Sequence, residues 1–304
     1  MTTEIMSLYD FFEQFPDEQS VIDHLRSIRW RHGEFCPHCG HDKIYHFSDK
    51  RTHKCGSCRK RFSIKVGTIF EDTKLPLRKW FAAIWLITSH KKGIASTQLA
   101  KNLKVTQKTA WFMLHRLRYA AKTKSFNKPL DGEVELDETY VGGKETNKPL
   151  SKRQTGTQGG KGKASVFGML ERGGEFRAQH VADVAGSTVN RLVCQHVQAG
   201  ANVMTDEHPA YGQLDKAYSR HAVNHSRNEY VRHYFCHINS IEGAWSLFKR
   251  QVNGTHHWIS VKHLQAYLDE MCFRYNRRDV AEGARINDFL ERVSGRLTYK
   301  ALIA

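Results

Sequence analysis

The chain has 304 residues, with 47 Lys and Arg against 31 Asp and Glu and a net charge of +16; its pI is near 9.6. That length supports two or three domains with a buried core, and the charge excess selects a polyanion as partner, DNA or RNA ahead of an anionic membrane. A run of about 18 apolar residues that could span a bilayer is missing, and the N-terminus lacks a basic region followed by an apolar stretch. The expectation is therefore a cytoplasmic protein with no membrane partner, whose cysteines bind metal or stay free.

Residues 1–32 read as a helical lead-in. Leu8, Phe11, Phe12 and Phe15 recur at helical spacing, Pro16-Asp17 interrupts them, and Val21, Ile22, Leu25 and Ile28 resume the pattern. Packing is the role expected of it.

Residues 33–70 carry Cys36-Pro-His-Cys39 and Cys55-Gly-Ser-Cys58, two C-x2-C pairs separated by fifteen residues. Thiolates two apart on a tight turn can face one ion, and two such turns complete a tetrahedron. Cys36, Cys39, Cys55 and Cys58 are thus expected to hold a structural Zn2+, with no open position for catalysis. Strand-like stretches flank the second pair, at 44–47 and 59–66. His38, His41 and His53 read as surface residues. Of the three remaining cysteines, Cys194 is expected on the inward face of a helix, while Cys236 and Cys272 follow no pattern.

Residues 71–125 read as helical. Pro76 opens a run with Trp80, Phe81, Ile84, Trp85 and Ile87, which Gly93 ends. Leu99, Ala100 and Leu103 then make one apolar face. After a turn at 102–105, Thr106 is the expected N-cap of a helix burying Ala110, Met113, Leu114 and Leu117. Two helices joined by so short a turn suit a DNA-reading helix-turn-helix, which would turn Gln107, Lys108, Arg116 and Arg118 outward, with Thr109 and Trp111 near its start. A helical hairpin that only packs is the plainer alternative.

Residues 126–290 change to strand alternation at 133–141, 164–170 and 176–184. A helix follows, capped by Ser187 with Val189, Leu192, Val193 and Val197 inward, and then a strand ending at Asp206. This order describes an α/β sheet with a partly antiparallel start. Between the first two strands, residues 144–163 form a glycine-rich basic loop, read either as a solvated loop or as a strap along a phosphate backbone. Residues 291–304 are expected as a C-terminal tail. The fold class is a multidomain α+β and α/β chain.

Three acids stand out in this basic chain. Asp137 closes the run that begins at Gly132, Asp206 closes 201–206, and Glu242 lies in a helical pattern with Asn239 and Lys249 on the same face. Carboxylates are the hard ligands that a pair of Mg2+ ions requires, and such a pair serves phosphoryl transfer. Glu138 is a rival to Asp137 on the opposite strand face, Glu135 shares Asp137's face two residues deeper, and Glu207 is a rival to Asp206. Taken singly, each Asp also fits a turn, and the helix edge fits a solvated, salt-bridged face.

Together, Cys36-Pro-His-Cys39-Gly40 with Cys55-Gly-Ser-Cys58, Glu135-Leu-Asp-Glu-Thr-Tyr-Val-Gly-Gly-Lys144, Thr205-Asp206-Glu-His-Pro-Ala-Tyr211 and Asn239-Ser-Ile-Glu-Gly-Ala-Trp-Ser-Leu-Phe-Lys-Arg250 resemble the DDE transposases of the ISXO-type insertion-sequence group, which carry an N-terminal zinc ribbon. The resemblance spans nearly the whole chain. It implies an RNase H-like catalytic domain in which Asp137 and Asp206 match the two aspartates, Glu242 the third acid and Lys249 the lysine seven residues later. Asn239 is the lesser candidate for the third position, which varies between Glu and Asn in this group. The implied chemistry is cutting of element ends and joining of the freed 3′-hydroxyl to target DNA, with two Mg2+ ions. Asp137 would bridge the ions, Asp206 and Glu242 would flank them, and Lys249 and Arg250 would contact DNA. The implied partners are double-stranded DNA, at element ends and target, and further copies of the chain assembled on it. Alternatives are a zinc-ribbon and helix-turn-helix regulator, a domesticated inactive transposase, an RNase H-like nuclease that does not join, and a structural zinc protein.

Overall fold

The computed structural model describes residues 7–122, 128–143, 149–153, 160, 162–224, 231–232 and 235–304. Most of the basic loop expected at 144–163 lies outside the described residues. The chain forms two compact units: residues 1–122 with 277–304, and residues 123–276.

The first unit opens with α1 (Leu8–Gln14) and α2 (Glu18–Arg29), separated at Phe15–Asp17 and each started by a capping box, on Ser7 and on Asp17. Phe11, Phe15, Val21, Ile22 and Leu25 are buried, which is the packing role expected of the lead-in. A three-stranded antiparallel sheet follows: β1 (Ile44–His46), β2 (Thr52–Cys55) and β3 (Arg61–Ser63). The middle strand β2 has no alternation of its own in the sequence and exists because both neighbours pair with it.

Then come α3 (Leu77–Ser89), α4 (Ser96–Leu103) and α5 (Gln107–Ala121). Thr106 caps α5 by accepting the Thr109 N–H at 3.2 Å, and Lys104 turns the chain between α4 and α5 in the left-handed region, at φ 49°. Residues 277–304, which include the expected tail at 291–304 and the end of the stretch expected to run from 126 to 290, belong to this first unit. α9 (Glu282–Glu291) buries Ile286, Phe289 and Leu290 and packs on α2 and α3, and α10 (Tyr299–Ile303) closes the chain. The Ile69 N–H bonds the Val293 carbonyl at 2.8 Å. The expected boundaries at 290 and 291 therefore fall inside one packed element group.

The second unit is a five-stranded sheet in the order β6-β5-β4-β7-β8. Its members are β4 (Glu133–Val141), β5 (Ala164–Glu171), β6 (Phe176–Val181), β7 (Asn202–Thr205) and β8 (Ser219–Ala222). β4, β5 and β6 pair antiparallel as a meander, whereas β7 and β8 run parallel to β4. A crossover through α6 (Gly186–His196) connects β6 to β7. The helix starts at Gly186, with Ala185 at the cap position, so Ser187 lies inside its first turn rather than capping it. Its Cys194 is exposed, not inward.

Each sheet face is buried by helices, which yields two cores. Val134, Leu136, Phe167, Met169 and Val203 face α6. Val166, Leu170, Phe176, Ala178 and Met204 face α7 (Asn239–Gln251) and α8 (Val261–Asn276). Strand period two thus sends odd and even positions of β4 to different helices. The β6 edge is covered by side-chain amides: Gln265 bonds the His180 N–H and the Ala178 carbonyl, and Asn276 bonds both backbone groups of Phe176. These amides stand in for a missing strand and blunt the edge. Among the described residues no helix is long and apolar enough to cross a membrane.

Candidate metal sites and the nucleic-acid face

The four expected zinc ligands meet at the ribbon. Their sulfurs all lie within 4.8 Å of one another, with Cys36 and Cys58 at 3.7 Å and Cys39 and Cys55 at 3.6 Å. Metal–sulfur bonds of about 2.3 Å give a tetrahedron with edges of about 3.8 Å, so the spacing fits a four-thiolate structural zinc. The local chain explains the convergence. The His38 and Ser57 N–H groups point at the Cys36 and Cys55 sulfurs, and Gly40 takes a positive φ of 77° to complete the first turn. Burial opposes ionisation of Cys55, but the Cys58 and Ser57 N–H groups outweigh it and hold the thiol at about 6.

His38 and His41 are exposed as expected, but His53 is not a surface residue: it is buried against Trp30, His46 and Phe62. It lies on the face of β2 that packs against Trp30. Burial, then the charge of Arg26 and of His46, lowers its pKa to about 4, so it packs as a neutral ring.

On α5, Gln107 and Lys108 are exposed and Trp111 is half-buried, its ring 4.3 Å from that of His115. Arg116 does not face outward. It is 6% exposed, donates to the carbonyls of Ile69, Glu71 and Leu297, and stacks on Phe112. Arg118 is also buried. Residues at 116 and 118 straddle the apolar face of Met113, Leu114 and Leu117, so the core takes both stems, and Arg116 staples three loop carbonyls instead of reaching DNA.

The acids occupy the second unit. Asp137 sits in the middle of β4 rather than at its end, because β5 pairs with β4 as far as Val141. β7, by contrast, pairs only with Glu133 to Glu135. Continuing that parallel register two residues past Glu135 and Met204 brings Asp206, just beyond the end of β7, alongside Asp137. Both share the face of Met204, toward α7. Asp206 accepts the His208 N–H at 2.9 Å, and Arg220 from β8 holds the Thr205 hydroxyl and the Asp206 carbonyl.

α7 runs along β4 in the same direction. The Ile241 N–H donates to Glu135 at 2.9 Å near one end, and Phe248 and Lys249 line a cleft with Tyr140 and Val141 near the other. Between them Trp245 lies on Gly168, the cross-strand partner of Asp137, where an added Cβ would come within 2.3 Å of the indole. Glu242, in the first turn of α7, is carried by this ladder toward Asp137. Asn239, Glu242, Lys249 and Arg250 are all exposed.

Burial, then the like charges of Glu138, Asp206 and Glu242, pushes the Asp137 carboxyl up to about 8. Among the described residues only the four cysteines form a group of three or more ligands within 4.8 Å of one another, so the three acids form a looser set. Glu138 faces the opposite core, as strand period requires, and accepts the Tyr211 hydroxyl at 2.8 Å.

The single-residue reading of Glu135 missed its function in the fold. Its carboxylate is fully buried and takes Arg172 Nε at 2.7 Å, His237 Nδ1 at 3.3 Å and the Ile241 N–H. Arg172 also bonds Glu133 and the carbonyls of Phe235 and His237. α7 has no cap from its own sequence, so a carboxylate on β4 caps it and sets its position against the strand. The in-phase spacing of Glu135 and Asp137 was the available signal; nothing local pointed to Arg172 or His237.

Residues 129–276 match the family described as the ISXO2-like transposase domain, and residues 16–61 match the transposase zinc-ribbon domain. A protein in the transposable element ISH50 of Halobacterium salinarum is 31% identical over 270 residues, which cover 84% of this chain and 89% of that protein. Among solved structures, the Mos1 strand transfer complex aligns over 73% of this chain and 78% of that chain, at 16% identity and a TM-score of 0.28. The Mos1 mariner paired end complex with Mn aligns over 73% and 79%, at 15% identity and a TM-score of 0.28.

Proposed function

Because this chain belongs to the ISXO2-like transposases, we propose that it cuts the ends of an insertion sequence and joins the freed 3′-hydroxyl to target DNA. The observation that carries the reading is Asp137: a half-buried carboxylate beside Asp206 and within the field of Glu242, on a chain of net charge +16. Clustered, partly desolvated carboxylates repel one another and are relieved by divalent cations. The antiparallel meander followed by two parallel strands supports an RNase H-like reading of the domain.

Two Mg2+ ions bound at these carboxylates would activate the attacking oxygen and neutralise the leaving one. Asp137, the central acid of the three, would hold both ions, and Asp206 and Glu242 would each hold one of them. Asp206 spends one oxygen on the His208 N–H and keeps the other. Asn239, one turn before Glu242, is the lesser third candidate. Lys249 and Arg250 extend the same helix and hold the DNA strand through its phosphates, and Glu135 acts as a positioning residue by capping α7.

In the other unit, a four-thiolate Zn2+ holds the ribbon, and α4 with α5 reads duplex DNA through Gln107, Lys108 and the edge of Trp111. The chain acts as at least a dimer when two element ends are paired.

Asp137→Asn is expected to lower Mg2+-dependent strand cleavage and joining at least a thousandfold while DNA affinity stays within about threefold. Cleavage retained in that variant would remove Asp137 from the chemistry. Hydrolysis without joined product, in an assay with element-end and target DNA together, would reduce the reading to a nuclease. DNA binding without any Mg2+-dependent cleavage by the unmodified protein would reduce it to a regulator.

A further inference from the structure

A cleft of about 190 Å³ opens where β4 and α7 run out together, lined among others by Tyr140, Lys249, Asn253, His257, Trp258 and Ile259. Its floor is apolar, through buried Ile259 and Phe248, while its rim carries the exposed Lys249 ammonium. Trp258 stands at the edge with 71% of its surface exposed, the largest indole surface that any described tryptophan offers to solvent.

The backbone here is unusual in two ways. α7 ends in a π-helical turn, Val252–His256, and His257 follows at φ 62° and ψ −35°. π-turns and left-handed side-chain-bearing residues cost free energy and are retained mostly where a site needs them. Their effect is to end α7 abruptly and to present Trp258 beside Lys249 instead of burying it in the core.

We propose that this cleft takes one unpaired nucleotide of the DNA strand held at the carboxylates, with its base stacked on Trp258 and its phosphate at Lys249. The inference rests on the reading of Asp137 and Glu242 as the place where that strand is held. Three features select this occupant. An exposed indole next to a cation is the pairing that single-stranded nucleic acid uses, since every base has a stacking face and every nucleotide a phosphate. The cleft walls are continuations of the two elements that bear Asp137 and Glu242. Four residues along β4 and seven along α7 are each about 10–13 Å, or some three to four nucleotide steps along a strand. Finally, a volume of about 190 Å³ is on the scale of one base and not of a stack of several. A nucleotide removed from the duplex so near the cutting site would hold the strand open and fix its register there.

The test uses the full zinc-loaded chain at low salt in Ca2+, with hairpin DNA bearing a four-nucleotide single-stranded extension. 2-Aminopurine is placed at each extension position in turn, on a 3′ and on a 5′ extension. For the unmodified protein, emission should fall severalfold at one position, and the extension should tighten binding about tenfold over a blunt hairpin. Trp258→Ala should abolish both effects, and Trp258→Phe should keep part of each. Binding of the blunt hairpin should change less than twofold in either variant, which excludes misfolding as the cause. The proposal is overturned if the extension adds nothing to affinity, or if the emission change is the same in Trp258→Ala as in the unmodified protein. Cleavage in Mg2+ is scored separately. Cleavage without stacking sinks the cleft alone, and stacking without cleavage sinks the transposase reading and leaves a single-strand binding cleft.

Discussion

Cys36 and Cys58 are 22 residues apart in sequence and their sulfurs are 3.7 Å apart in space, on turns of one small sheet. The carboxylates of the second unit depend instead on a contact spanning 106 residues, the Glu135 cap on the Ile241 N–H, and on a parallel strand register. The ribbon is a site made by local turns, and few other interactions can order so short a segment. The acidic site is made by a sheet and a helix that would exist without it. The metal should therefore hold the ribbon together, whereas the acids should strain the domain that carries them. One region gains stability from its ligands, and the other gives some up.

The strongest way to break this contrast is to remove the metal from the ribbon. Chelation is expected to unfold residues 33–63, because zinc binding by small four-ligand domains is worth on the order of 10 kcal/mol. Metal release measured together with amide exchange in β1, β2 and β3 checks it, and protection that survives in the metal-free ribbon would show that packing alone suffices.

Next in size is Glu135→Ala. It leaves the buried Ile241 N–H without its acceptor and takes from Arg172 Nε its fully buried partner, and should cost about 3 kcal/mol by denaturant unfolding. Glu135→Gln keeps an acceptor for the helix and should cost less. Both should depress the cleavage rate more than DNA affinity, since α7 carries Glu242.

A smaller effect of opposite sign is expected at Asp137. Its folded pKa of about 8 lies above the ordinary 3.8, so the metal-free folded state holds a proton that the unfolded chain has released. Stability should be greatest below about pH 4, fall as pH rises toward 8 and then level off. Asp137→Asn removes that slope and should stabilise the metal-free protein at pH 8 by about 2 kcal/mol, at about 1.4 kcal/mol per pKa unit with part of the shift relieved by solvent. Mg2+ should raise the melting temperature of the unmodified protein at pH 8 and leave that of the variant unchanged. A variant less stable than the parent would mean that Asp137 is held by partners and not strained.

The smallest effect sharpens the reading of α5. Lys108→Ala should change stability by less than about 0.5 kcal/mol, yet lower DNA affinity severalfold and reduce the salt slope by about one. Unchanged affinity and slope would leave α4 and α5 as a packing hairpin.

Much of this was legible along the chain. Pro16, Thr106 and the apolar repeats place α1, α2, α4 and α5 because caps and helical periodicity are local properties. β2 was not legible, since its pairing comes from neighbours on either side. Arg116 illustrates the same boundary: its sequence position allows an outward guanidinium, but three carbonyls from Ile69, Glu71 and Leu297 claim it once distant segments pack. His53 was misplaced for a related reason, as a four-residue strand without an alternation of its own does not say which side faces the core.

The spacing of Cys36, Cys39, Cys55 and Cys58 determined a metal knuckle pair by itself, because two-residue turns leave the thiolates few directions in which to point. The acids were legible only as candidates, Asp137, Asp206 and Glu242 beside rivals at Glu135, Glu138 and Glu207. Their alignment was not legible: Asp206 comes beside Asp137 through the register of β7 on β4, and α7 is set against β4 by Glu135, Gly168 and Arg172. Those are contacts between residues that no helical or strand period relates. They form only when loop-closure entropy has been overcome by burial on both faces of the sheet, which is why tertiary structure alone decides them.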